Sequence, residues 1–198
     1  MFPGCTSVVT QIPLQRPIFV RERSARLYRT LSYILGRLLA NMALQVVYPT
    51  ILAVVVFFAV GFPISLEGFG LVLSAMVLLN MNGAGLGYMS GCVCNEAFTA
   101  YALANTYYFL CWGCSGGMLN LRTLPLYLRL ASHIVPARYA IEIMMRVIVA
   151  DRQDEGVRVL EEYGFTYGYL GCYAGLFACF FGYLGIAVFA IVFNNRNL

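Results

Sequence analysis

Long apolar stretches dominate the chain and predict membrane-crossing helices. A helix needs about 20 apolar residues to cross a hydrocarbon core of about 30 Å. Stretches near that length run at about residues 38–60, 69–93, 97–118 and 167–193. The pattern therefore predicts an all-α, polytopic membrane helix bundle with four full spans.

A fifth apolar stretch, at about residues 124–150, is interrupted by proline and ionisable side chains. These are Arg129, His133, Pro136, Arg138, Glu142 and Arg146. A charged side chain costs about 2.5–3.5 kcal/mol at the centre of a membrane helix, so a lipid-facing span is excluded here. We interpret the stretch as one or two amphipathic segments that lie at the interface or dip partway into the membrane. They would belong to an outer re-entrant loop at residues 119–166.

The beginning of the chain differs from these spans. Three prolines interrupt a mildly apolar run at residues 1–20, which is too short and broken to cross a membrane and lacks the layout of a signal peptide. We interpret residues 1–37 as the end of a preceding membrane helix followed by a cytoplasmic segment. Residues 38–198 would then form the transmembrane domain.

Charge orients the chain in the membrane. Residues 1–37 hold six arginines against Glu22, a net charge of +5, whereas residues 118–166 hold six arginines and six acids. Because cytoplasmic segments are enriched in arginine and lysine, we expect residues 1–37 inside and the outer loop outside. Four crossings then return the C-terminus to the inside.

The composition excludes several kinds of chemistry. The chain is 61% hydrophobic and 11% charged, and all 13 of its basic residues are arginine. Without lysine it has no Walker A lysine, no Schiff-base lysine and no lysine general base. The single histidine, His133, cannot form a histidine-based metal cluster, and the CxxC of Cys111 and Cys114 lies in an apolar span without a second pair. We predict no catalytic site and no metal site.

Polar and small residues inside the spans predict helix packing. Asn41 and Gln45 are four residues apart on one face, which favours hydrogen bonds between helices and leaves a substrate path as the alternative. Gly83 and Gly87 form a GxxxG pair, a spacing that allows two helices to approach closely. Both features support a bundle of helices.

The third span carries an aromatic and amide face. Asn105, Phe109 and Trp112 are three or four residues apart, so they share one side of a helix that packs into the core or lines an apolar cavity. Gly116 and Gly117 follow and predict a helix end or a close backbone approach.

The arginine-rich stretch at residues 21–29 has two interpretations. It is an arginine cluster that only fixes the orientation, or it is a short cytoplasmic helix that a partner binds. In the second case Arg21, Glu22 and Tyr28 would present an ion pair and an aromatic ring to an acidic domain.

Five sequence features recur in an order that resembles a known family. They are RERSARLYR, SYILGRLLANMALQ, SGGMLN, HIVPARYAIE and a final span with a basic tail. Over nearly its whole length the chain resembles the C-terminal two-thirds of the membrane domain of an ABC transporter of the G subfamily, of the white and pleiotropic-drug-resistance type. The resemblance implies an ABC-2 membrane fold that runs from the end of the second helix through the sixth.

The resemblance also implies roles for individual residues. Arg21, Glu22 and Tyr28 would form the coupling segment that sits on the nucleotide-binding domain, and Asn105, Phe109 and Trp112 would line the central cavity of a dimer. Gly117 and Met118 fall where some members carry a hydrophobic plug, although Gly117 replaces the bulky plug residue. The re-entrant motif would consist of Pro136, Arg138, Tyr139 and Glu142.

The function implied by the resemblance is export of lipids, sterols or other amphipathic compounds, driven by ATP. The chain would bind no cofactor itself, with ATP and Mg²⁺ on a nucleotide-binding domain elsewhere, and it would be a fragment of a longer transporter or a truncated gene model. The expected partners are the lipid bilayer, that nucleotide-binding domain and a second half-transporter, identical or homologous, and no nucleic acid is expected to bind. The protein would lie in the plasma membrane or in an intracellular membrane. The alternative is a stand-alone four-span scaffold or assembly protein. A channel or proton-coupled carrier is disfavoured because the spans hold almost no ionisable residue.

Overall fold

The structure, a computed structural model, describes residues 1–25, 30–60, 65–94, 96–123, 125–150, 158–160 and 162–194. Every regular element in this part of the chain is helical, in agreement with the all-α prediction. The main helices are α1 (Phe2–Val9), α2 (Gln11–Ser24), α3 (Thr30–Val60), α4 (Leu66–Val93), α5 (Ala97–Gly113), α6 (Leu126–Ala131), α7 (Pro136–Val149) and α8 (Tyr169–Asn194), with a 3₁₀ turn at Ser132–Ile134 between α6 and α7.

Three of these helices contain segments long and apolar enough to cross a membrane. Within the described ranges they are Leu39–Ala59 of α3, Leu66–Val93 of α4 and Tyr169–Ile191 of α8. The fourth predicted span corresponds to α5, which has 17 residues and does not belong to this set. The chain is therefore a membrane protein with three helices that are long and apolar enough to cross a bilayer, and the predicted total of four stays a prediction.

The end of α5 corrects the boundary predicted from hydropathy. The helix ends at Gly113 and not at Met118, although the residues between them are apolar or small. The Ser115 hydroxyl donates to the Trp112 carbonyl oxygen at 2.7 Å, and Gly116 follows with a φ of 84°. A left-handed residue stops a helix, and glycine adopts this conformation without steric cost.

The break between α1 and α2 has a local cause. Pro13 has no N–H group to donate to the carbonyl oxygen of Val9, and its ring would clash with that carbonyl in a continuous helix. The helix accordingly stops at Val9 and restarts at Gln11. Pro17 lies within α2 and does not interrupt it, and the interpretation of residues 1–37 as the end of a preceding membrane helix stays a prediction.

The residues cluster into two compact parts, each with its own core. One comprises Met1–Val47, Asn80–Tyr107 and Phe180–Leu198, and the other comprises Tyr48–Leu79 and Tyr108–Cys179. The first core includes Val8, Ile12, Ala84, Tyr88, Cys92, Ala187 and Ile191. The second core includes Ala75, Tyr139, Ala140, Ile143, Cys172 and Leu176.

Helix α1 packs closely against α4 along a row of glycines. A Cβ atom on Gly87 would lie 2.8 Å from the carbonyl oxygen of Cys5, and one on Gly91 would lie 2.9 Å from that of Val9. A Cβ on Gly83 would overlap the backbone of Met1. The close helix contact predicted for the Gly83 and Gly87 pair is thus confirmed, with α1 as the partner.

A buried amide network joins α1, α3 and α4. The Asn80 amide nitrogen donates to the Gln45 backbone oxygen at 3.1 Å and to its side-chain oxygen at 2.7 Å. The Gly4 N–H donates to the Asn80 side-chain oxygen at 3.0 Å, and the Gln45 amide donates to the Ser7 hydroxyl at 3.1 Å. Asn41 donates to the Tyr88 hydroxyl at 2.9 Å. The prediction that Asn41 and Gln45 make hydrogen bonds between helices is confirmed.

Candidate functional site

The aromatic face of α5 is the first part of the candidate site. Phe109 is 64% exposed and Trp112 is 50% exposed, and Asn105 on the same face is partly exposed. The opposite side of α5 is buried through Ala100, Ala104 and Cys111. Of the two predictions for this face, core packing within the chain is therefore wrong for Phe109 and Trp112. The arrangement leaves two large aromatic surfaces available to an apolar ligand, to lipid or to another polypeptide.

The turn after α5 continues the candidate site. Gly117 and Met118 are exposed, Met118 by 63%. The Gly117 N–H donates to the Ser115 hydroxyl at 3.4 Å, and a Cβ on Gly117 would lie 3.0 Å from the Ile141 side chain of α7. A side chain at position 117 would therefore require the end of the Ile141 side chain to shift by a few tenths of an ångström.

The predicted re-entrant motif forms a buried polar cluster at the start of α7. Pro136 occupies the first turn of the helix, where its missing N–H group costs nothing, and Arg138, Tyr139 and Glu142 are buried. The region consists of two helical segments separated at Val135, in agreement with the prediction of one or two amphipathic segments. Their depth in the membrane stays a prediction.

His133 lies at the centre of this cluster. Its Nδ1 atom is 2.9 Å from the Tyr167 hydroxyl and 3.4 Å from Arg138 Nη1, and its carbonyl oxygen accepts a 2.7 Å hydrogen bond from Tyr139. Because a guanidinium group can only donate, Nδ1 is the acceptor and the ring proton is on Nε2. Burial, followed by the charges of Arg138 and Arg129, lowers the pKa of His133 and favours this neutral form.

Arg138 and Glu142 bring charge into the same cluster. Arg138 donates to the Ser132 hydroxyl at 2.6 Å, and its guanidinium carbon lies 5.5 Å from the centre of the Tyr167 ring, a cation–π distance. Glu142 forms an ion pair with Arg146 on the next turn of α7, with 2.8 Å between Glu142 Oε1 and Arg146 Nη2. Burial raises the pKa of Glu142, and the opposing effect of Arg146 is smaller.

The predicted coupling residues are only partly described. Arg21 and Glu22 lie near the C-terminal end of α2, Arg21 exposed and Glu22 partly exposed. Tyr28 lies outside the described residues. Glu22 also lines a cleft of about 580 Å³ with Arg37 and Asn41 of α3.

Several partners in these clusters have no signal in the sequence. Tyr167 and His133 are 34 positions apart in the sequence, and Asn80 and Gln45 are 35 positions apart. No rule of residue spacing indicates contacts over such separations. The pair of Glu142 and Arg146 could have been found, because residues four apart are neighbours on a helix. Among the described residues no group of three His, Cys, Asp or Glu could hold a metal ion.

The chain matches known membrane-transport proteins. Residues 1–149 match the family model of the ABC-2 type transporter. The chain is 27% identical to protein white of Ceratitis capitata over 143 residues, which is 71% of this chain and 21% of that protein. It is 30% identical to ABC transporter G family member 22 of Arabidopsis thaliana over 104 residues, 52% of this chain and 14% of that protein.

A third relative covers almost the whole sequence. ABC transporter G family member 36 of Oryza sativa subsp. indica is 24% identical over 207 aligned residues, which is 98% of this chain and 14% of that protein. The chain therefore spans only about a fifth or less of the length of the curated relatives it matches.

Proposed function

The chain belongs to the family of ABC-2 type transporter membrane domains, with relatives among white and the G family, and from this we propose that it forms part of an ATP-driven exporter. Its cargo would be lipids, sterols or other amphipathic compounds. The observation that carries the proposal is the exposed aromatic face of α5, with Phe109 and Trp112, on a helix of a family whose members move solutes across membranes. An amphipathic compound fits such a face because aromatic rings bind apolar groups and a neighbouring amide such as Asn105 binds a polar end.

ATP hydrolysis would take place outside these residues. The sequence has no lysine, so it has no Walker A lysine for nucleotide phosphates. We propose that a nucleotide-binding domain, in a longer polypeptide or in a partner, binds ATP and Mg²⁺ and acts on a coupling segment that includes Arg21, Glu22 and Tyr28. A second half-transporter, identical or homologous, would close the cavity lined by Asn105, Phe109 and Trp112.

The exit from this cavity would be formed by the turn after α5. Gly117 and Met118 are exposed there, and Gly117 lacks a side chain that could close a passage, which leaves Met118 as the flexible apolar group. The motif of Pro136, Arg138, Tyr139 and Glu142 would hold the neighbouring re-entrant helices in position. Support for this role comes from the burial of all four residues.

The proposal is tested by comparing two phenylalanines with the same exposure. Phe109 and Phe181 are both 64% exposed, but Phe181 lies on α8, outside the proposed path. In a complete transporter in proteoliposomes, Phe109→Ala should change the ratio of transport rates for a small and a large amphipathic substrate by up to about tenfold, because an aromatic contact is worth about 0.5–1.5 kcal/mol beyond the area it buries. Phe181→Ala should leave the ratio unchanged.

Two results would contradict the proposal. If both variants transport all substrates like the wild type, the α5 face is not the substrate path. If the complete protein transports nothing and its ATP turnover does not respond to amphipathic compounds, the scaffold alternative is favoured.

A further inference from the structure

An apolar cavity lies among α3, α4 and α7. Its volume is about 160 Å³, and every side chain that lines it is alanine, valine, isoleucine, methionine or phenylalanine. Because water in a cavity needs polar partners, a space with such walls does not hold water. None of the lining residues belongs to α5, so the cavity is separate from the proposed substrate path.

The cavity has a closed end and an open end. Ala53 of α3 is only 4% exposed, whereas Val56 of α3 and Ile148 of α7 are 40% and 44% exposed. Val56 belongs to the membrane-spanning segment Leu39–Ala59. The surroundings of a spanning helix are hydrocarbon, so the open end meets acyl chains and not water.

The walls can adapt to a flexible guest. Met76 of α4 and Met144 of α7 supply unbranched thioether chains, which fit irregular apolar shapes. Phe57 and Phe69 line another side of the cavity, and their rings pack edge-on with their centres 4.9 Å apart. One side of the cavity is therefore rigid and the other is compliant.

The volume indicates the size of the guest. An apolar cavity of about 150 Å³ in another protein holds one benzene molecule, so this cavity holds a hydrocarbon segment of roughly six carbons. An acyl-chain segment has this size, whereas the fused ring system of a sterol is larger. We propose that the cavity binds a segment of the acyl chain of a bilayer phospholipid, as a resident lipid site apart from the transport path.

Photo-crosslinking tests this site directly. The protein is reconstituted in nanodiscs of phosphatidylcholine that carries a diazirine on one acyl chain, and the labelled peptides are identified by mass spectrometry. We expect labelling of the peptides that contain Met76 and Met144. Ala53→Leu fills the closed end of the cavity and should reduce this labelling about tenfold. The larger side chain occupies the space that the acyl chain would otherwise fill.

Matched variants separate the cavity from the general surface. Ala59→Leu makes the same change at an exposed position of α3 and should label like the wild type. If Ala53→Leu does not fold, Val56→Phe at the open end replaces it, with Val55→Phe as the control, since Val55 is 58% exposed and does not line the cavity.

Thermal stability gives an independent readout. In lipid-free detergent the wild type should gain stability on addition of phosphatidylcholine, whereas Ala53→Leu should start more stable and gain little, because leucine takes the place of the lipid. Equal labelling of Ala53→Leu and wild type would overturn the proposal. Labelling of these peptides by a photoactivatable sterol, and not by the phospholipid, would overturn it as well.

Discussion

Asn80 stabilises the bundle by forming hydrogen bonds with two backbone groups, one in α3 and one in α1, that lack a partner within their own helices. Pro49 has no N–H group, so the Gln45 carbonyl one turn earlier in α3 lacks its helical donor, and Asn80 supplies a donor instead. The Gly4 N–H is in the first turn of α1, where no intrahelical acceptor exists, and the Asn80 oxygen accepts it. One buried amide therefore satisfies two backbone groups that would otherwise be unpaired.

Replacement of Asn80 by alanine should be strongly destabilising. The change leaves two buried backbone groups without partners, and each such group costs about 1–3 kcal/mol, which gives a loss of about 2–6 kcal/mol in the free energy of unfolding. Thermal unfolding in detergent measures this loss. Asn41→Ala is the matched control, because Asn41 is only partly buried and its bond to Tyr88 joins two side chains, so its loss should be about 1 kcal/mol.

A second substitution identifies the cause. Pro49→Ala restores an N–H donor for the Gln45 carbonyl, so the double variant with Asn80→Ala should lose less stability than the two single changes predict. Simple additivity would mean that the carbonyl freed by Pro49 is not what Asn80 satisfies.

At the level of single residues, the sequence predicts which side chains form hydrogen bonds between helices but not their partners. Asn41 and Gln45 were predicted to bond between helices because an unsatisfied amide is costly in an apolar bundle, and both do. Their partners could not be predicted, since Asn80 and Tyr88 lie on another helix and their positions depend on how α3 and α4 pack. The same holds for the contact of His133 with Tyr167.

Among the elements, α4 illustrates how glycine spacing determines packing. Gly83, Gly87 and Gly91 are each four residues apart, so they form a smooth strip along one side of the helix. The backbone of α1 lies against this strip. Close backbone approach increases van der Waals contact, which is the main attraction between helices in lipid.

Gly87→Ala should separate α1 from α4. The new Cβ would lie 2.8 Å from the Cys5 carbonyl oxygen, too close for a backbone atom that cannot rotate away. We expect a loss of about 1–3 kcal/mol in the free energy of unfolding. Alkylation of Cys5, which is 3% exposed, should become faster, as measured by peptide mass spectrometry.

Gly70→Ala is the matched control on the same helix. A Cβ on Gly70 meets nothing within 4 Å, so alanine there should stabilise α4 by up to about 1 kcal/mol through its higher helix propensity. Slower or unchanged alkylation of Cys5 in Gly87→Ala would argue against the glycine contact.

Hydropathy predicted some helix ends well and others poorly. The predicted ends at Val60 and Val93 agree with α3 and α4. The apolar stretch assigned to the third span extends to Met118, five residues beyond the end of α5, because the residues after Gly113 are as compatible with a membrane as those before it, although Gly116 and Gly117 were predicted to mark a helix end. The helix stops where Gly116 adopts the left-handed conformation, next to the hydrogen bond from the Ser115 hydroxyl to the Trp112 carbonyl oxygen. A hydropathy scale contains no information about backbone conformation.

At the scale of the whole molecule, the number of crossings determines how the protein could work. Helix α5 has 17 residues, so at about 1.5 Å per residue it is about 25 Å long, slightly shorter than a hydrocarbon core of about 30 Å. Away from the Phe109 face it also exposes large apolar side chains, Leu103 and Leu110, which favours a location in hydrocarbon. An even number of crossings would put both ends of the chain on one side.

Glycosylation mapping distinguishes four crossings from three. The natural sequence has no Asn-x-Ser/Thr acceptor, so an introduced acceptor reports without background. Acceptors are placed before residue 1, between residues 150 and 158, and after residue 198, and each protein is synthesised in the presence of microsomes. We expect modification only between residues 150 and 158, because the net positive charge of residues 1–37 keeps that segment on the cytoplasmic side.

The other outcomes are equally informative. Modification at the C-terminus but not at the N-terminus would mean that α5 does not cross, since an odd number of crossings separates the two ends. Modification at both ends but not between residues 150 and 158 would keep the four crossings and reverse the orientation, which would show that the arginines of residues 1–37 do not determine it. Acceptors with Gln in place of Asn serve as the control in each position. Either pattern in which the N-terminal acceptor stays unmodified puts Arg21 and Glu22 on the side where a cytoplasmic nucleotide-binding domain could reach them, whereas the reversed orientation would contradict their proposed role in coupling.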